Sequence, residues 1–484
     1  MHRRTPMSEA LIAWLNAGQQ ALEVGDFPVA IAAFTQVRDA MPSDVSVAIA
    51  LANVHRLGGD VVTSRRILLQ AHERANWTEA SLAHMLGAAL LEVGAAHEAV
   101  ACFEQVVRRL PSDPAALGAL AGGRRTLGQP AAAWPLIEQA VKAASTNAAL
   151  LLTAAQIRHD LRDLRGAAQW LDRAEAIRPN HGPTRVQRAY TSLLAGTSAA
   201  GWQAFESRPL PEPNTHSRPW QGEPLLGGSV LVTAEQGVGD QFQFARFISL
   251  LTERGAGRVV VECHADAVAL FVTSGFDAIP RGSPPETDWH VPMMSLPFRL
   301  GTDGDVLGDR VPYLRSGPTT AAADTSRFER RAGTTRSVGL VWGGNPSFPG
   351  RVTRDFDASL LPELLAIPGI DWISLQQGDT AAVTDDRLRR VPLSTDWRAT
   401  AALLSALDGL VTTDTGIAHL AGAMGIRTWV LLQHVPDWRW GGEGETTPWY
   451  PTLRLLRPRR WNDWRSVLEG LQNALIYPTD SSSA

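Results

Sequence analysis

Two short stretches bring acid, hydroxyl, glycine and imidazole groups close together. In "VTTDTGIAHLAGAMG" (411–425), an apolar strand stops at Asp414 and a small-residue helix opens through Thr415 and Gly416, with His419 four residues beyond Thr415. The first N–H groups of a helix lack intrahelical partners and the helix dipole is positive there, so this turn is placed to receive a phosphate or another anion. Gly416 admits the anion without a side-chain clash, and the four-residue spacing puts His419 on the same helix face. A purely structural reading competes: Asp414 or Thr415 caps the helix, Ala418, Ala421 and Ala423 pack closely, and His419 is a satisfied core histidine. In "AEQGVGDQF" (234–242), Gly237 and Gly239 join a strand to a helix that opens on Asp240. Phe242 stands where a dinucleotide fingerprint needs its third glycine, which weakens a Rossmann cofactor reading. The two glycines allow a tight backbone approach, and Asp240 either caps its helix or faces a ligand; on spacing alone the cap is the simpler role.

Both turns need strands to carry them. Apolar runs predict strands at 229–235, 258–263 and 276–280, with a helix over 240–254, and a second set at 337–344, 370–377, 407–414 and 428–433. Strand, helix, strand implies parallel, doubly wound sheets, whose ligands lie at the carboxyl ends of the strands. Two such sheets in series are expected to face one another across a cleft, with one domain over 220–315 and the other over 336–478. The Pro-rich stretch at 208–224 marks the boundary with what precedes it.

The front of the chain has a different period. Gly25, Gly59, Gly94 and Gly128 recur at intervals of 34, 35 and 34 residues, and Asp163 and Gly196 continue the series. Five residues after each comes a small residue, Ala30, Ser64, Ala99, Ala133, Ala168 or Gly201. Four further on comes a large apolar one, Phe34, Leu68, Phe103, Ile137 or Phe205, except in the fifth unit, where Asp172 breaks the rule. Such a period marks paired-helix repeats of the tetratricopeptide kind over residues 8–208, which stack into a solenoid with a concave surface suited to peptide or protein capture.

Composition excludes several functions. A net charge of -4 supplies no field for nucleic acid, and no apolar run is long enough to span a membrane. Two distant cysteines, Cys102 and Cys263, fit neither a disulfide framework nor a metal site, so a cytoplasmic location is expected. Lys142 is the only lysine, which rules out a P-loop and Schiff-base chemistry and leaves any phosphate grip to arginine, backbone N–H groups or helix ends. The triplets "DGD" (303–305) and "DFD" (355–357) read as chance, and neither a metal nor a cofactor is expected. Trp438, Trp440, Trp449, Tyr450, Trp461 and Trp464 read mostly as packing that anchors the last helix, and Arg454, Arg457, Arg459 and Arg460 as a solvated face.

"DTGIAHLAGAMG" resembles the donor-binding motif of heptosyltransferase-like glycosyltransferases, and "EQGVGD" is similar to their N-terminal catalytic turn. Repeats followed by "WQGEPLLGGSVLVTAEQGVGDQFQFARF", "VGLVWGGNP" and "VPDWRWGGEGETTPWYPTLRLLR" resemble bacterial tetratricopeptide glycosyltransferases across almost the whole chain. The resemblance implies a helical repeat solenoid followed by a GT-B pair of Rossmann-like domains that clasp a nucleotide-sugar donor. Carried over by position, it makes Asp240 the general base and gives donor binding to Asp414, Thr415, Gly416 and His419, with Gly237 and Gly239 shaping the first turn. The loop "WGGNPSFPGRVTRDFD" adds Asn345, Arg351 and Arg354 as donor contacts, although Phe348, Pro349 and Gly350 replace part of the polar run usual there. Heptosyltransferases also place a lysine near the donor phosphate; its absence leaves an arginine substitute and a different donor both open. The expected activity is inverting transfer of a sugar to a protein Ser or Thr hydroxyl, with flagellin a candidate acceptor recruited by the repeats. A lipid-linked or saccharide acceptor, and a non-catalytic adaptor that keeps the fold, are the alternatives.

Overall fold

The computed structural model describes residues 8–74, 80–196, 198–210, 216–282, 284–302, 305–317, 331–344, 351–378 and 383–476, the side chains of 351 and 352 excepted. The chain forms two compact units, Met1–Pro179 and Asn180–Ala484.

The first unit is a run of antiparallel helix pairs: α1 (Glu9–Glu23) and α2 (Phe27–Ala40), α3 (Val45–Leu57) and α4 (Val61–Arg74), α5 (Ala80–Glu92) and α6 (Ala96–Arg109), α7 (Pro114–Thr126) and α8 (Pro130–Ala143), α9 (Ala148–Asp160) and α10 (Leu164–Ile177). The turn between paired helices needs a left-handed residue, supplied by Gly25, Gly59, Gly94 and Gly128 at φ 71° to 87°. In the fifth pair that residue is Arg162, at φ 63°, and Asp163 instead caps α10 by accepting from the Gly166 N–H at 2.8 Å. The expected register there is therefore one residue late. Counted from Arg162, the small and large positions are Ala167 and Leu171, both fully buried, and the apparent exception at Asp172 disappears. Ala30, Phe34, Leu68, Ala99, Phe103, Ala133 and Ile137 occupy the core as expected. Helices α2, α6 and α10 each stop two residues ahead of Pro42, Pro111 and Pro179.

The second unit begins with one more helical pair, α11 (Gly182–Ala195) and α12 (Ala199–Phe205). A five-stranded parallel sheet follows, built from β1 (Arg218–Pro219), β2 (Ser229–Thr233), β3 (Arg258–Cys263), β4 (Asp277–Pro280) and β5 (Trp289–Pro292) in the order β1-β5-β2-β3-β4. Its helices are α13 (Val238–Phe244), α14 (Ile248–Glu253), α15 (Val268–Thr273) and α16 (Leu296–Leu300). The single helix expected over 240–254 is thus two, separated by a 3-10 turn at Ala245–Phe247.

A six-stranded parallel sheet completes the unit: β6 (Arg336–Val341), β7 (Ile370–Ser374), β8 (Leu388–Arg390), β9 (Gly409–Thr413), β10 (Thr428–Leu431) and β11 (Leu453–Leu456), in the order β11-β10-β9-β6-β7-β8. It carries α17 (Arg351–Arg354), α18 (Leu361–Leu364), α19 (Trp397–Ser405), α20 (Gly416–Ala423) and α21 (Trp464–Ile476). Strands β1, β5, β8 and β11 have no counterpart in the sequence reading. In each sheet the strand order reverses beside the first long strand, between β2 and β5 and between β6 and β9, which opens a crevice at the carboxyl ends. Among the described residues, no helix is long and apolar enough to cross a membrane.

Candidate functional site

The two glycine turns leave β2 and β9 at these crevices, and the first turns of α13 and α20 pack against each other. Gly239 makes that approach possible: a Cβ there would lie 2.9 Å from the Gly416 Cα and 3.2 Å from the His419 Cδ2. A Cβ at Gly416 would meet the Val238 Cγ1, the Gly239 nitrogen and the Trp397 ring only at ordinary contact distances, 3.4 to 3.6 Å. The glycines therefore serve close packing between two helix tips, and Gly239 is the stricter of the two.

Asp240 serves as a cap and does more. Its Oδ2 accepts from the Gly237 N–H at 2.9 Å, while its Oδ1 accepts from the Arg439 Nη2. At the facing tip, Thr415 has extended backbone but its side chain does not cap α20; its hydroxyl turns back to the Thr412 hydroxyl at 3.0 Å and to the Thr413 carbonyl.

A line of alternating charges joins the turns. Arg439 reaches Asp240 with Nη2, Asp437 with Nη1 at 2.7 Å and the Gln243 amide oxygen with Nε at 2.8 Å. Arg354 lies between Asp414, at 3.3 Å, and Asp437, at 3.5 Å. Burial pushes the Asp240 carboxyl above its ordinary range, and Arg439 offsets part of the rise. Asp414 is likewise raised by burial against the pull of Arg354. Burial acts in the same direction on Asp437, yet Arg439 and Arg354 together outweigh it and hold this carboxyl below its ordinary range. Sequence reasoning missed Arg439 and Asp437. Their signal was an arginine flanked by two tryptophans and preceded by an acid in "DWRW", inside a stretch that carries the family resemblance but whose residues 437–440 were read only as aromatic packing.

His419 is buried, stacks on Trp440 with ring centroids 5.0 Å apart, and places Nδ1 3.0 Å from the Tyr450 hydroxyl. Burial, reinforced by the positive charge of Arg439, lowers its pKa to about 3, so the imidazole is neutral at physiological pH and offers a hydrogen bond without a charge. The C-terminal aromatics pack as expected, but not all against the last helix. Trp438 and Trp449 meet Trp202 of α12 edge-on, at 5.4 and 6.3 Å, and only Trp464 belongs to α21, with Trp461 ahead of it. Arg459 and Arg460 are solvent-exposed, while Arg457 donates to backbone carbonyls of the 440–444 loop. The "DFD" carboxylates act apart: Asp355 accepts from the Gly344 N–H and Asp357 from the Ser359 N–H, each at 2.9 Å. Among the described residues, no cluster of His, Cys, Asp and Glu could hold a metal ion.

A cavity of about 640 Å³ lies where the turns meet. Its walls include Gly237, Gly239, Asp240, Arg354, Asp414, Thr415, Gly416 and His419, together with Asp355, Asp437 and Arg439. Asn345 lies outside the described residues, as does the side chain of Arg351 at the start of α17. Two walls come from the helical pair: Tyr190 on α11 and Phe205 on α12. The lining thus carries four carboxylates and two guanidiniums, a volume suited to a small-molecule ligand and groups able to bind hydroxyls, accept a proton and hold an anion.

The tetratricopeptide-repeat family model matches residues 15–80. The chain is similar to the Protein FlbA of Caulobacter vibrioides, at 24% identity over a 500-residue alignment that covers 95% of this chain and 77% of that protein. Among solved structures, a tetratricopeptide repeat protein from Parabacteroides merdae aligns at 12% identity and a TM-score of 0.35, over 41% of this chain and 78% of that one. MamA from Desulfovibrio magneticus aligns at 15% identity and a TM-score of 0.31, over 36% of this chain and 98% of that one. The N-terminal region is a tetratricopeptide-repeat solenoid, a class of surface that binds proteins, and a region of parallel sheets follows it.

Proposed function

We propose that this chain is an inverting glycosyltransferase of GT-B architecture that moves a sugar from a nucleotide donor to a protein Ser or Thr hydroxyl, with the repeats recruiting the acceptor and flagellin as the candidate. One observation carries the reading: a half-buried carboxylate, Asp240, and the uncapped start of an eight-residue helix, α20, belong to different sheets yet line one cavity. The resemblance of the two turns to heptosyltransferase-like motifs supports the same assignment.

The chemistry follows from the groups present. A carboxylate has room for about four hydrogen bonds, and Asp240 spends one on Gly237 and one on Arg439, which leaves lone pairs for an acceptor hydroxyl. As the acceptor oxygen attacks the anomeric carbon, its proton passes to Asp240 and a new C–O bond forms. The bond from that carbon to the nucleotide's phosphate oxygen breaks on the opposite face and its electron pair leaves with the phosphate, so the centre inverts. The tip of α20, the Thr415 hydroxyl, the neutral His419 and Arg354 are the donors available to the departing charge. Arg354 is already shared by Asp414 and Asp437, so these carboxylates compete with a phosphate for it.

The test is intact-mass analysis of proteins from cells with and without this chain, and from deletion cells complemented with wild type or Asp240→Asn. One protein is expected to lose the mass of one or more sugar residues on deletion and to regain it with wild type alone. Full restoration by Asp240→Asn would remove Asp240 from the mechanism. A mass change confined to a lipid or saccharide would place the acceptor elsewhere.

A further inference from the structure

The helical pair α11 and α12 is built into the site. Trp202 of α12 is fully buried and stands edge-on to Phe244 of α13, at 6.0 Å, as well as to Trp438 and Trp449. Just beyond α12, Arg208 is buried and grips Glu235 with two bonds of 2.8 and 2.7 Å; Glu235 is the residue before Gln236 at the root of the Asp240 turn. Arg208 also donates to the Ser295 hydroxyl at 2.9 Å and to Glu206, which in turn pairs with Arg299 of α16 at 2.9 Å. Buried bidentate pairs of this kind fix geometry more than they add stability. From this anchored frame Tyr190 reaches the cavity that Asp240 lines, still 37% exposed, with Phe205 behind it at a ring distance of 6.3 Å.

We propose that α11 and α12 form the acceptor-side wall of the site and that Tyr190 is the side chain on which the polypeptide flanking the acceptor hydroxyl packs. This inference rests on the transferase reading and narrows it. The groups available to the phosphate, Thr415, Gly416 and Arg354, all come from the second sheet, and the proton acceptor Asp240 comes from the first. Tyr190 belongs to neither, and follows Pro179, the last residue of the repeat unit, by only 11 positions. An acceptor hydroxyl must sit against Asp240, and Tyr190 is near enough to Asp240, Asp437 and Arg439 to feel their charges. Burial first, and then Asp437, keeps its phenol protonated, so it presents an apolar ring face and an O–H donor. That combination suits a peptide, whose side chains pack on the ring and whose carbonyls accept from the hydroxyl.

The test uses full-length Tyr190→Ala and Tyr190→Phe with two readouts: nucleotide release from the donor without acceptor, and transfer to the protein identified by the deletion experiment above. Tyr190→Ala is expected to leave acceptor-free release within about twofold of wild type and to lower transfer about tenfold, mainly through the acceptor KM. Tyr190→Phe keeps the ring and is expected to recover most of the loss. Unchanged transfer in Tyr190→Ala overturns the proposal, and so does a loss of acceptor-free release as large as the loss of transfer. Failure of the parent reading looks different: wild type and Asp240→Asn would release nucleotide alike, and this inference would fall with it.

Discussion

The two units bury their chains by opposite means. In the repeats a contact recurs at a fixed offset: a left-handed turn residue, a small residue five positions on and a large one four beyond that, repeated along the chain. Each pair touches its neighbours, so stability there is close to a sum of local terms. In the second unit the decisive contacts span very long stretches of sequence, such as Arg439 to Asp240, 199 residues apart, and Arg439 to Gln243, 196 apart. The contrast predicts that charge removal is cheap in the repeats and expensive at the site.

Arg439→Met sharpens the contrast most. It leaves the half-buried Asp240 without its cation and Asp437 with Arg354 alone, and is expected to cost about 2–3 kcal/mol in denaturant unfolding of the second unit; a loss below about 1 kcal/mol would show the charge line to be ornamental. The same variant removes the cation that favours ionised Asp240, so the acid limb of any turnover profile, already above the ordinary aspartate range, moves to still higher pH. Arg354→Ala is expected to weaken donor binding about tenfold by calorimetry, a charge-assisted hydrogen bond being worth roughly 1.5–3 kcal/mol. Gly239→Ala drives a Cβ to 2.9 Å from the Gly416 backbone and is expected to cost about 1–3 kcal/mol, read from thermal melting. The smallest effect belongs to the repeats: Glu92→Ala breaks the 3.0 Å pair with Arg56, whose partners are 57% and 32% exposed, and is expected to cost at most about 1 kcal/mol. A larger loss at Glu92 than at Arg439 would invert the comparison.

The same contrast sets how much was legible in the sequence. The repeats were readable because each turn demands a residue that tolerates positive φ; the one slip came where Arg162 took that role and the neighbouring Asp163 looked more like a turn residue. Interior strands showed as apolar runs, whereas β1 and β8, of two and three residues at sheet edges, carry too little pattern to find. β5 and β11 were masked by His290 and Arg454 within otherwise apolar segments. Both glycine turns were readable as turns, yet Gly239 proved to face Gly416 across a helix contact. The role of Arg439 was not readable: beyond the neighbouring Asp437, its partners Asp240 and Gln243 belong to α13 of the other sheet, and no local period records such a pairing.

The most direct measurement is nucleotide release from ADP-, GDP-, UDP- and CMP-sugars by wild type and Asp240→Asn. Because burial raises the Asp240 pKa in the folded state, its ionisation costs stability as pH climbs above the unfolded value, so the neutral amide is expected to fold at least as well. The account predicts release from one donor class by wild type and a loss of about 10²-fold or more in the variant, with melting unchanged. Equal release by both proteins, or none by either from any donor, would contradict it.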